Sequence, residues 1–351
     1  MRESWLSHLA DPQDGSALVV DRVFNSAGDQ VMDGVLVSKA GRHYPVMHGV
    51  PVFIQNLAEQ HADWLCDHAD SLEDIPAEWA GGRYEAGTQR VQDSFGYEWS
   101  RYHRVLPEYD SNYMHQTGLS DAFYAGKVVL DAGCGYGRHT SYVARLPGTM
   151  VVGFDLSEAV FIAFETLRDL DNVVLAQGDL FHPPVQRRHF DFVYSWGVLH
   201  HTPSVEEGFR SIRLLVRPGG QISFGAYRMW NRIGVAFQRA VRTATCRLPR
   251  DLLYWTCYAA MPLNALYFAL LRHIPGLREL TRVFIKPSRD WRICHTDTFD
   301  WWHPYYNHYH TLAELEQMVA AGGLELIESD RAYNSVRAGM PKDNNQTQVT
   351  A

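Results

Sequence analysis

The sequence predicts an α/β fold built on a doubly wound, mostly parallel sheet, with a small N-terminal β module and a helical insertion after the fifth strand. Three observations predict the sheet. Short apolar segments alternate with helical stretches at intervals of about 20 to 30 residues. The first segment ends in a Gly-rich turn that opens a helix, and an acid stands at the end of each of the first three. The five predicted strands are KVVLDAGCGYG, MVVGFDLS, NVVLAQGDL, FDFVYSWGVL and GGQISFGAY.

Composition excludes several classes of protein. With 46% hydrophobic and 21% charged residues, the 351-residue chain is globular. Its net charge of −8 has the wrong sign for a surface that tracks nucleic acid throughout. Five cysteines without a C-x-x-C pair indicate reduced thiols and neither a disulfide framework nor a zinc cluster. The N-terminus carries early acids and no apolar run typical of a signal peptide, so we expect a cytoplasmic protein.

Changes in pattern along the chain predict its domain organisation. Short apolar pieces with turn residues come first, then a polar helical stretch, then the strand–helix alternation, which a basic helical segment interrupts. We predict a β module (1–56), a helical connector with an outer helix (57–126), a sheet core (127–227 and 301–339), a helical lid (228–300) and a disordered tail (340–351).

The three acids at the strand ends predict the ligand. Asp131 precedes the Gly-rich turn 133–137, Asp155 closes the second strand and Asp179 follows the third. The first carboxylate suits the ammonium group of an amino acid and repels a pyrophosphate. The second suits the two ribose hydroxyls, and the third lies beside an adenine amino group. A ligand with an amine, a ribose and an adenine fits all three.

At these motifs the chain resembles the class I S-adenosylmethionine-dependent methyltransferases, over roughly residues 95–335. The resemblance implies a Rossmann-like core with S-adenosyl-L-methionine as cofactor. The motif of DNA-base methyltransferases, D/N-P-P-Y/F after strand four, is replaced by Ser-Trp-Gly-Val. The implied cofactor-binding residues are Asp131, Gly133 and Gly135 toward the methionine moiety, Asp155 toward the ribose, Asp179 and Leu180 toward the adenine, Ser195 and Trp196 beneath the sulfonium, and, beside them, Cys134 and Leu156.

The N-terminal module resembles the small zinc ribbons that precede or activate some methyltransferases. Ribbons of that kind hold zinc with paired cysteines, and this segment has none; Asp11 and Asp14 stand near the place of the first pair. We therefore predict no metal there and a module held by packing. The residues that carry the resemblance are Gly41, Arg42, Tyr44, Pro45, Val46, Gly49, Val50 and Pro51.

Histidines and aromatic residues supply the candidates for catalysis and acceptor binding. His200 and His201 follow the fourth strand, where a neutral imidazole can act as a base; packing beside the cofactor is the alternative. The segment 301–311 adds His308 as a third catalytic candidate. We predict Trp302, Tyr305, Tyr306 and His310 as walls of the acceptor pocket. Three histidines in this segment, His303 among them, could also bind a metal, but their alternation with aromatic residues favours pocket walls and no metal.

The predicted lid is strongly basic. Residues 228–292 hold eleven Arg and one Lys against three acids, which gives about +9. One interpretation is a lid with a solvated basic face. The other is a lid that receives an anionic or lipid-linked acceptor, or that makes peripheral contact with an anionic membrane surface. For the uncharged stretch 252–271 we predict two helices broken at Pro262 and no membrane span.

These observations predict a methyltransferase that acts on a small molecule or saccharide, most simply at oxygen, and that binds no nucleic acid. Two alternatives stay open. One is a subunit or scaffold that binds S-adenosylmethionine without turnover, as the degenerate N-terminal module suggests. The other is a nicotinamide oxidoreductase, because such enzymes use a related Gly-rich loop. The oligomeric state is not predicted.

Overall fold

The computed structural model describes residues 1–72, 79, 81–102, 117–229 and 232–342. The chain begins with a 3-10 helix, Glu3–His8, and an antiparallel sheet of four strands in the order β1-β2-β3-β4. A two-stranded parallel sheet pairs β10 with β11. The strands are β1 (Leu18–Ala27), β2 (Gln30–Ser38), β3 (His43–Met47), β4 (Val50–Pro51), β5 (Val128–Ala132), β6 (Met150–Asp155), β7 (Val173–Gln177), β8 (Phe190–Ser195), β9 (Val216–Gly225), β10 (Tyr227–Arg228), β11 (Tyr309–His310), β12 (Glu325–Asp330) and β13 (Ser335–Gly339).

The central sheet has seven strands in the order β12-β13-β9-β8-β5-β6-β7. Strands β5 to β9 pair in parallel, and β13 is antiparallel to both of its neighbours. The predicted doubly wound, mostly parallel sheet is therefore confirmed. The order reverses between β5 and β8, and ligands bind in open α/β sheets beyond the carboxyl ends of the strands at such a reversal.

Helices cover the sheet and form the insertion. In chain order they are α1 (Leu57–Gln60), α2 (Ala62–Asp67), α3 (Ala69–Leu72), α4 (Ala86–Arg101), α5 (Asp121–Tyr124), α6 (Arg138–Val143), α7 (Ala159–Leu167), α8 (Val205–Arg213), α9 (Arg232–Thr245), α10 (Arg250–Tyr258), α11 (Ala260–Ala269), α12 (Pro275–Phe284), α13 (Trp291–Trp302) and α14 (Leu312–Ala321), with 3-10 turns at Leu199–His201 and Leu271–His273. Helix α14 begins with the capping box that its sequence predicts, from Thr311 and Glu314.

The N-terminal sheet joins the central sheet through both backbone and side chains. Val52 forms a parallel bridge with Gln177 at the end of β7, and the Phe53 N–H donates to the Gln177 carbonyl at 2.8 Å. Gly49 has a φ of +86°, and a Cβ there would collide with the ring of Phe164 on α7. Only glycine suits that turn. The module thus packs directly onto the sheet that carries the candidate site.

An ion-pair cluster closes the module where the resembled ribbons hold their metal. The Arg42 Nε donates to Asp11 Oδ2 at 2.7 Å, and its guanidinium also binds Asp14. Burial opposes ionisation of Asp11, whose side chain is fully buried, but hydrogen bonds from Arg42 and the Gln13 N–H keep the pKa of that carboxyl below its usual value. A charged hydrogen-bond network therefore supports the module together with packing.

The insertion is a helical body between β10 and β11. Its apolar core joins α9, α10 and α13 through side chains that include Val235, Leu253 and Phe299. Trp301 and Trp302 belong to this body, so it extends beyond the predicted end at residue 300. The predicted break between two helices lies at Ala259 and not at Pro262. Pro262 lies in the first turn of α11, where proline is tolerated. Among the described residues, no helix has the length and apolar character needed to cross a membrane.

The predicted tail lies mostly outside the described residues, which end at 342. Met340 continues the pairing of β13 with β9, because its backbone accepts a hydrogen bond from the Gly219 N–H and donates one to the Gly220 carbonyl.

We expect Arg42→Gln to lower the free energy of unfolding by about 2 kcal/mol, because it leaves the buried Asp11 carboxylate without its charged partner. Urea denaturation of the two proteins measures the difference. Arg168→Gln is the matched control: its pair with Glu165 is exposed, and we expect a change under about 0.5 kcal/mol. Equal losses in both variants would show that Arg42 has no special role in the module.

Candidate active site

A cavity with about 950 Å³ of empty space, part of it open to solvent, lies at the carboxyl ends of the central strands. Its walls come from the turn after β5, the ends of β6, β7 and β8, helix α4 and the segment before β11. It lies at the reversal of strand order, where the sequence predicts the ligand site. The predicted cofactor-binding residues that line it are Gly133, Cys134, Gly135, Asp155, Leu156, Asp179, Leu180 and Trp196.

The turn after β5 brings bare backbone to the cavity. Gly133, Gly135 and Gly137 have φ angles of +91°, +54° and +82°, a conformation that favours glycine. A Cβ on Gly133 would also collide with the side chain of Val198 after β8. The Gly135 N–H donates to Asp155 Oδ2 at 2.8 Å, which holds the turn against the end of β6.

Asp155 and Asp179 are fixed by neighbouring backbone groups. Asp155 Oδ1 accepts from the N–H and the hydroxyl of Ser157 at 2.8 and 2.6 Å. Burial raises the pKa of Asp155, and the hydrogen bonds from Ser157 and Gly135 oppose that rise. Asp179 accepts from the Phe181 N–H at 2.9 Å. Because Asp155 Oδ2 receives only one hydrogen bond within the described chain, it keeps capacity for a ligand hydroxyl.

Asp131 and Ser195 lie behind the cavity wall and are not among its lining residues. Asp131 Oδ2 accepts from the hydroxyls of Thr140 at 2.7 Å and Tyr194 at 2.8 Å. Burial raises the pKa of Asp131 to about 7, although both hydrogen bonds oppose the rise. The Ser195 hydroxyl donates to the Ala132 carbonyl at 2.8 Å. The contacts of both side chains thus stabilise the ends of β5 and β8.

Helix α4 forms a wall of the cavity that the sequence analysis missed. Thr88, Val91, Gln92, Phe95 and Trp99 line it at positions that share one helical face. The sequence predicts an outer helix of a connector here, because the stretch is polar and has a coarse helical pattern. The buried face of α4 is polar, which hides it from a search for apolar periodicity.

The three predicted catalytic histidines tie the segment before β11 to the end of β8. His201 Nδ1 donates to the Tyr306 carbonyl at 3.0 Å. His308 makes two contacts: its N–H donates to the His200 carbonyl at 2.9 Å, and its Nε2 to the Thr202 carbonyl at 3.0 Å. Of the three, only His201 lines the cavity. These contacts hold residues 306–308 against the turn after β8.

The direction of the ring nitrogens also argues against a base. Burial lowers the pKa of His200, His201 and His308, so all three are neutral near pH 7, as a base must be. His201 Nε2 faces Asp300 Oδ1 at 3.6 Å, and its Nδ1 is occupied by the Tyr306 carbonyl, so neither nitrogen is directed at an acceptor in the cavity.

Of the four predicted acceptor-pocket residues, the structure brings only Tyr306 to the cavity. Trp302 is buried in the insertion and donates its indole N–H to the Phe284 carbonyl at 2.9 Å. Tyr305 is 45% exposed on the surface. His310 Nε2 lies 3.4 Å from Glu206 Oε1. The sequence places these residues within nine positions, but helix α13 ends at Trp302 and the chain then turns, which separates them.

Comparison with known proteins shows which domain the central sheet resembles. Residues 129–220 match the model of the methyltransferase domain. This part of the chain is a methyltransferase domain. Similar proteins include a tRNA U34 carboxymethyltransferase of Idiomarina loihiensis (28% identity; 41% of this chain and 42% of that one), a sterol 24-C-methyltransferase of Gibberella zeae (28%; 38% and 38%) and a ubiquinone biosynthesis O-methyltransferase of Pseudomonas syringae (32%; 36% and 56%).

The chain spans about half or less of the length of these relatives, and their names refer to tRNA, a sterol and ubiquinone biosynthesis. These similarities therefore do not identify the methyl acceptor, the methylated atom or the class of partner. The prediction that this methyltransferase domain binds no nucleic acid stays a prediction.

The cavity fits S-adenosylmethionine, the cofactor of this domain. Bare backbone at Gly133 and Gly135 admits the methionine part, Asp155 Oδ2 can accept from the ribose, and Asp179 can accept from the adenine amine. When bound, the cofactor supplies an electrophilic methyl group on a sulfonium. The same wall offers apolar contact to the adenine through Leu180 and Leu156.

We expect Asp155→Ala to weaken S-adenosylmethionine binding by about 1.5 to 3 kcal/mol, because it removes a carboxylate acceptor and frees the Gly135 N–H. Calorimetric titration measures the loss. Asp169→Ala, an exposed change beyond α7, is the control and should bind normally. Unchanged affinity in Asp155→Ala would remove this residue from the cofactor site.

Asp131→Asn should stabilise the ligand-free protein in a pH-dependent way. The pKa of Asp131 is about 7 in the folded chain against about 3.9 when unfolded, so its contribution is favourable in acid and is lost as the pH rises toward 7. The advantage of the Asn variant in urea denaturation should therefore grow between about pH 5 and 7 and then level off. The control Asp169→Asn should show no such trend. A constant difference across this range would contradict the raised pKa.

Proposed function

We propose that the chain is an active S-adenosylmethionine-dependent methyltransferase that methylates an acidic oxygen of a small-molecule or saccharide acceptor presented at a membrane surface. The cofactor cavity and the methyltransferase domain support the reaction class. The observation that carries the acceptor proposal is the concentration of exposed apolar and basic side chains on the insertion.

The charges of the cavity wall favour an oxygen acceptor. Asp155 and Asp179 are the only acids among the described residues that line the cavity, and both are assigned to the cofactor. An acceptor ammonium would find no further carboxylate there. Arg138 stands in the same wall, and its guanidinium suits an anionic acceptor, whereas the Tyr306 hydroxyl already donates to Glu85.

The same wall favours an acceptor that does not need a strong base. Methyl transfer is an in-line displacement, so the protein's main task is to hold the acceptor oxygen in line and to exclude water. Since both nitrogens of His201 are directed elsewhere, a phenol, carboxylic acid or phosphate is a better substrate than an alcohol.

The surface of the insertion supports membrane contact. Of the nineteen exposed large hydrophobic side chains in the described part of the chain, twelve lie between 233 and 291. Ile233 and Phe237 on α9 and Leu280 and Phe284 on α12 are among them, and the two helices meet where the Phe237 and Phe284 rings approach to 6.0 Å. We call these four residues the apolar patch. Such patches mark interaction surfaces.

Arginines beside the patch complement an anionic surface. Arg239 on α9 and Arg282 on α12 are exposed, and each such side chain contributes about 1 kcal/mol near anionic lipid. Arg242 is an exception within the basic segment: it is buried and donates to the carbonyls of Trp301 and Pro304. Arg242 is therefore not part of the basic face. Its hydrogen bonds stabilise the interior of the insertion.

The reaction is tested by incubating the protein with labelled S-adenosylmethionine and candidate acceptors. We expect S-adenosylhomocysteine to form with phenolic, carboxylic or phosphorylated acceptors, and more readily when they are carried on vesicles of phosphatidylcholine and phosphatidylglycerol. Cofactor binding without product on any acceptor would favour the alternative of a subunit without turnover. Product formed on an RNA alone would contradict the proposed acceptor class.

Membrane contact is tested separately with Phe237→Ser combined with Leu280→Ser. We expect vesicle flotation to fall at least tenfold, because each large apolar side chain contributes about 1.5 to 3 kcal/mol when buried. S-adenosylmethionine affinity should be unchanged. Leu326→Ser, an equally exposed apolar residue on β12, is the control and should float like the wild type. Wild-type flotation of the double variant would overturn the proposed surface.

A further inference from the structure

The histidine-rich segment 303–310 does not stay together in the fold. His308 binds the Thr202 carbonyl and His310 faces Glu206. His303 turns the other way, and its Nδ1 lies 3.7 Å from Glu98 Oε2 on helix α4. The three histidines therefore do not form one group. His303 instead contacts Glu98, which lies 205 positions earlier in the sequence.

Glu98, Asp300 and His303 offer three ligand atoms that all lie within 4.8 Å of one another. His201 Nε2 stands 3.6 Å from Asp300 Oδ1, so a second imidazole adjoins the group. We call these four residues the carboxylate–imidazole cluster. Its members come from α4, from the end of α13 and the residue after it, and from the turn after β8.

The cluster contains unpartnered polar atoms deep in the protein. Glu98 is fully buried, and neither of its carboxylate oxygens makes a hydrogen bond within the described residues. Asp300 Oδ1 is also without a hydrogen bond there, although Oδ2 accepts from the Tyr227 hydroxyl at 2.7 Å. Buried carboxylates without donors are costly, and natural proteins pair them with a cation or a hydrogen-bond network.

Two nearby cationic side chains, Arg242 and Lys286, are engaged elsewhere. The Arg242 guanidinium donates to the backbone carbonyls of Trp301 and Pro304. The Lys286 ammonium stands 3.2 Å from the centre of the Trp301 ring. Among the described residues, Glu98 has its ion-pair contact with His303. A divalent cation placed among the four ligand atoms would balance the two carboxylates once both are ionised.

We propose that the carboxylate–imidazole cluster binds one divalent first-row transition metal, with Mn²⁺ or Fe²⁺ as the favoured class, through Glu98, Asp300 and His303 and with His201 at its edge. Carboxylate oxygen with imidazole nitrogen is a donor set typical of these ions, whereas Ca²⁺ and Mg²⁺ prefer oxygen alone. This assignment departs from the absence of metal that the sequence predicts.

The proposed metal would hold the cavity wall in place and would not contact the substrate. The ring of Phe95, which lines the cavity, lies 5.1 Å from the His201 ring and 5.5 Å from the His303 ring. Glu98, Asp300 and His303 are not lining residues. A bound ion would join α4 to α13 behind this wall and so fix the insertion relative to the cofactor cavity.

The test uses full-length protein with any tag removed, dialysed against a chelator and titrated with Mn²⁺ alone. Electron paramagnetic resonance of the free ion measures binding. We expect about one equivalent per chain and a rise in Tm at saturating Mn²⁺. Glu98→Gln and His303→Gln should each weaken binding at least tenfold, whereas His189→Gln, at the contact of the N-terminal 3-10 helix with the core, should bind normally.

Neither readout depends on methyl transfer, so failure of the metal site and failure of the proposed function are distinguishable. Wild-type protein that binds no Mn²⁺ at millimolar concentration would overturn the proposal, and so would unchanged Mn²⁺ affinity in a folded Glu98→Gln variant. If that variant does not fold by circular dichroism, Asp300→Asn and the wild-type stoichiometry decide in its place.

Discussion

The hydrogen bond from the Gly135 N–H to the Asp155 carboxylate is the constraint around which the site is built. It joins the turn after β5 to the end of β6, two strands already aligned by the pairing of Ala132 with Phe154. With this bond in place, the turn keeps its left-handed glycines and presents bare backbone to the cavity. The same carboxylate retains an oxygen lone pair toward that space, so one residue both shapes the site and offers a contact to the ligand.

Two segments from outside the parallel strands complete the cavity that this bond shapes. Helix α4 covers one side with Phe95 and Trp99, and the segment before β11 covers another with Tyr306. The second segment is held by the backbone carbonyls of His200 and Thr202 at the end of β8. Neutral histidines suit this task because each ring can donate to a buried carbonyl without bringing a charge into the interior.

The insertion combines a buried, aromatic interior with an outer surface that is unusually apolar for one exposed to water. Phe299 and Trp301 fill the interior, whereas Trp255 is 66% and Ile233 is 81% exposed. Arg242 shows that the number of arginines in the insertion does not give the charge of its surface, because this arginine is buried. Its guanidinium satisfies carbonyls at the end of α13, where the helix leaves backbone acceptors without partners.

Sequence alone determined the class of the sheet and several residues that line the cavity. The strand–helix alternation predicts a doubly wound parallel sheet, and Gly133, Gly135, Asp155 and Asp179 stand at strand ends, so the fold class brings them to one edge of that sheet. Tertiary structure decided the rest. Glu98 meets His303, Phe95 reaches the cavity, and Tyr305 and Trp302 leave it, because these contacts join segments distant in the chain. Periodicity records which face of a helix is apolar, but it does not record which distant element covers a polar face.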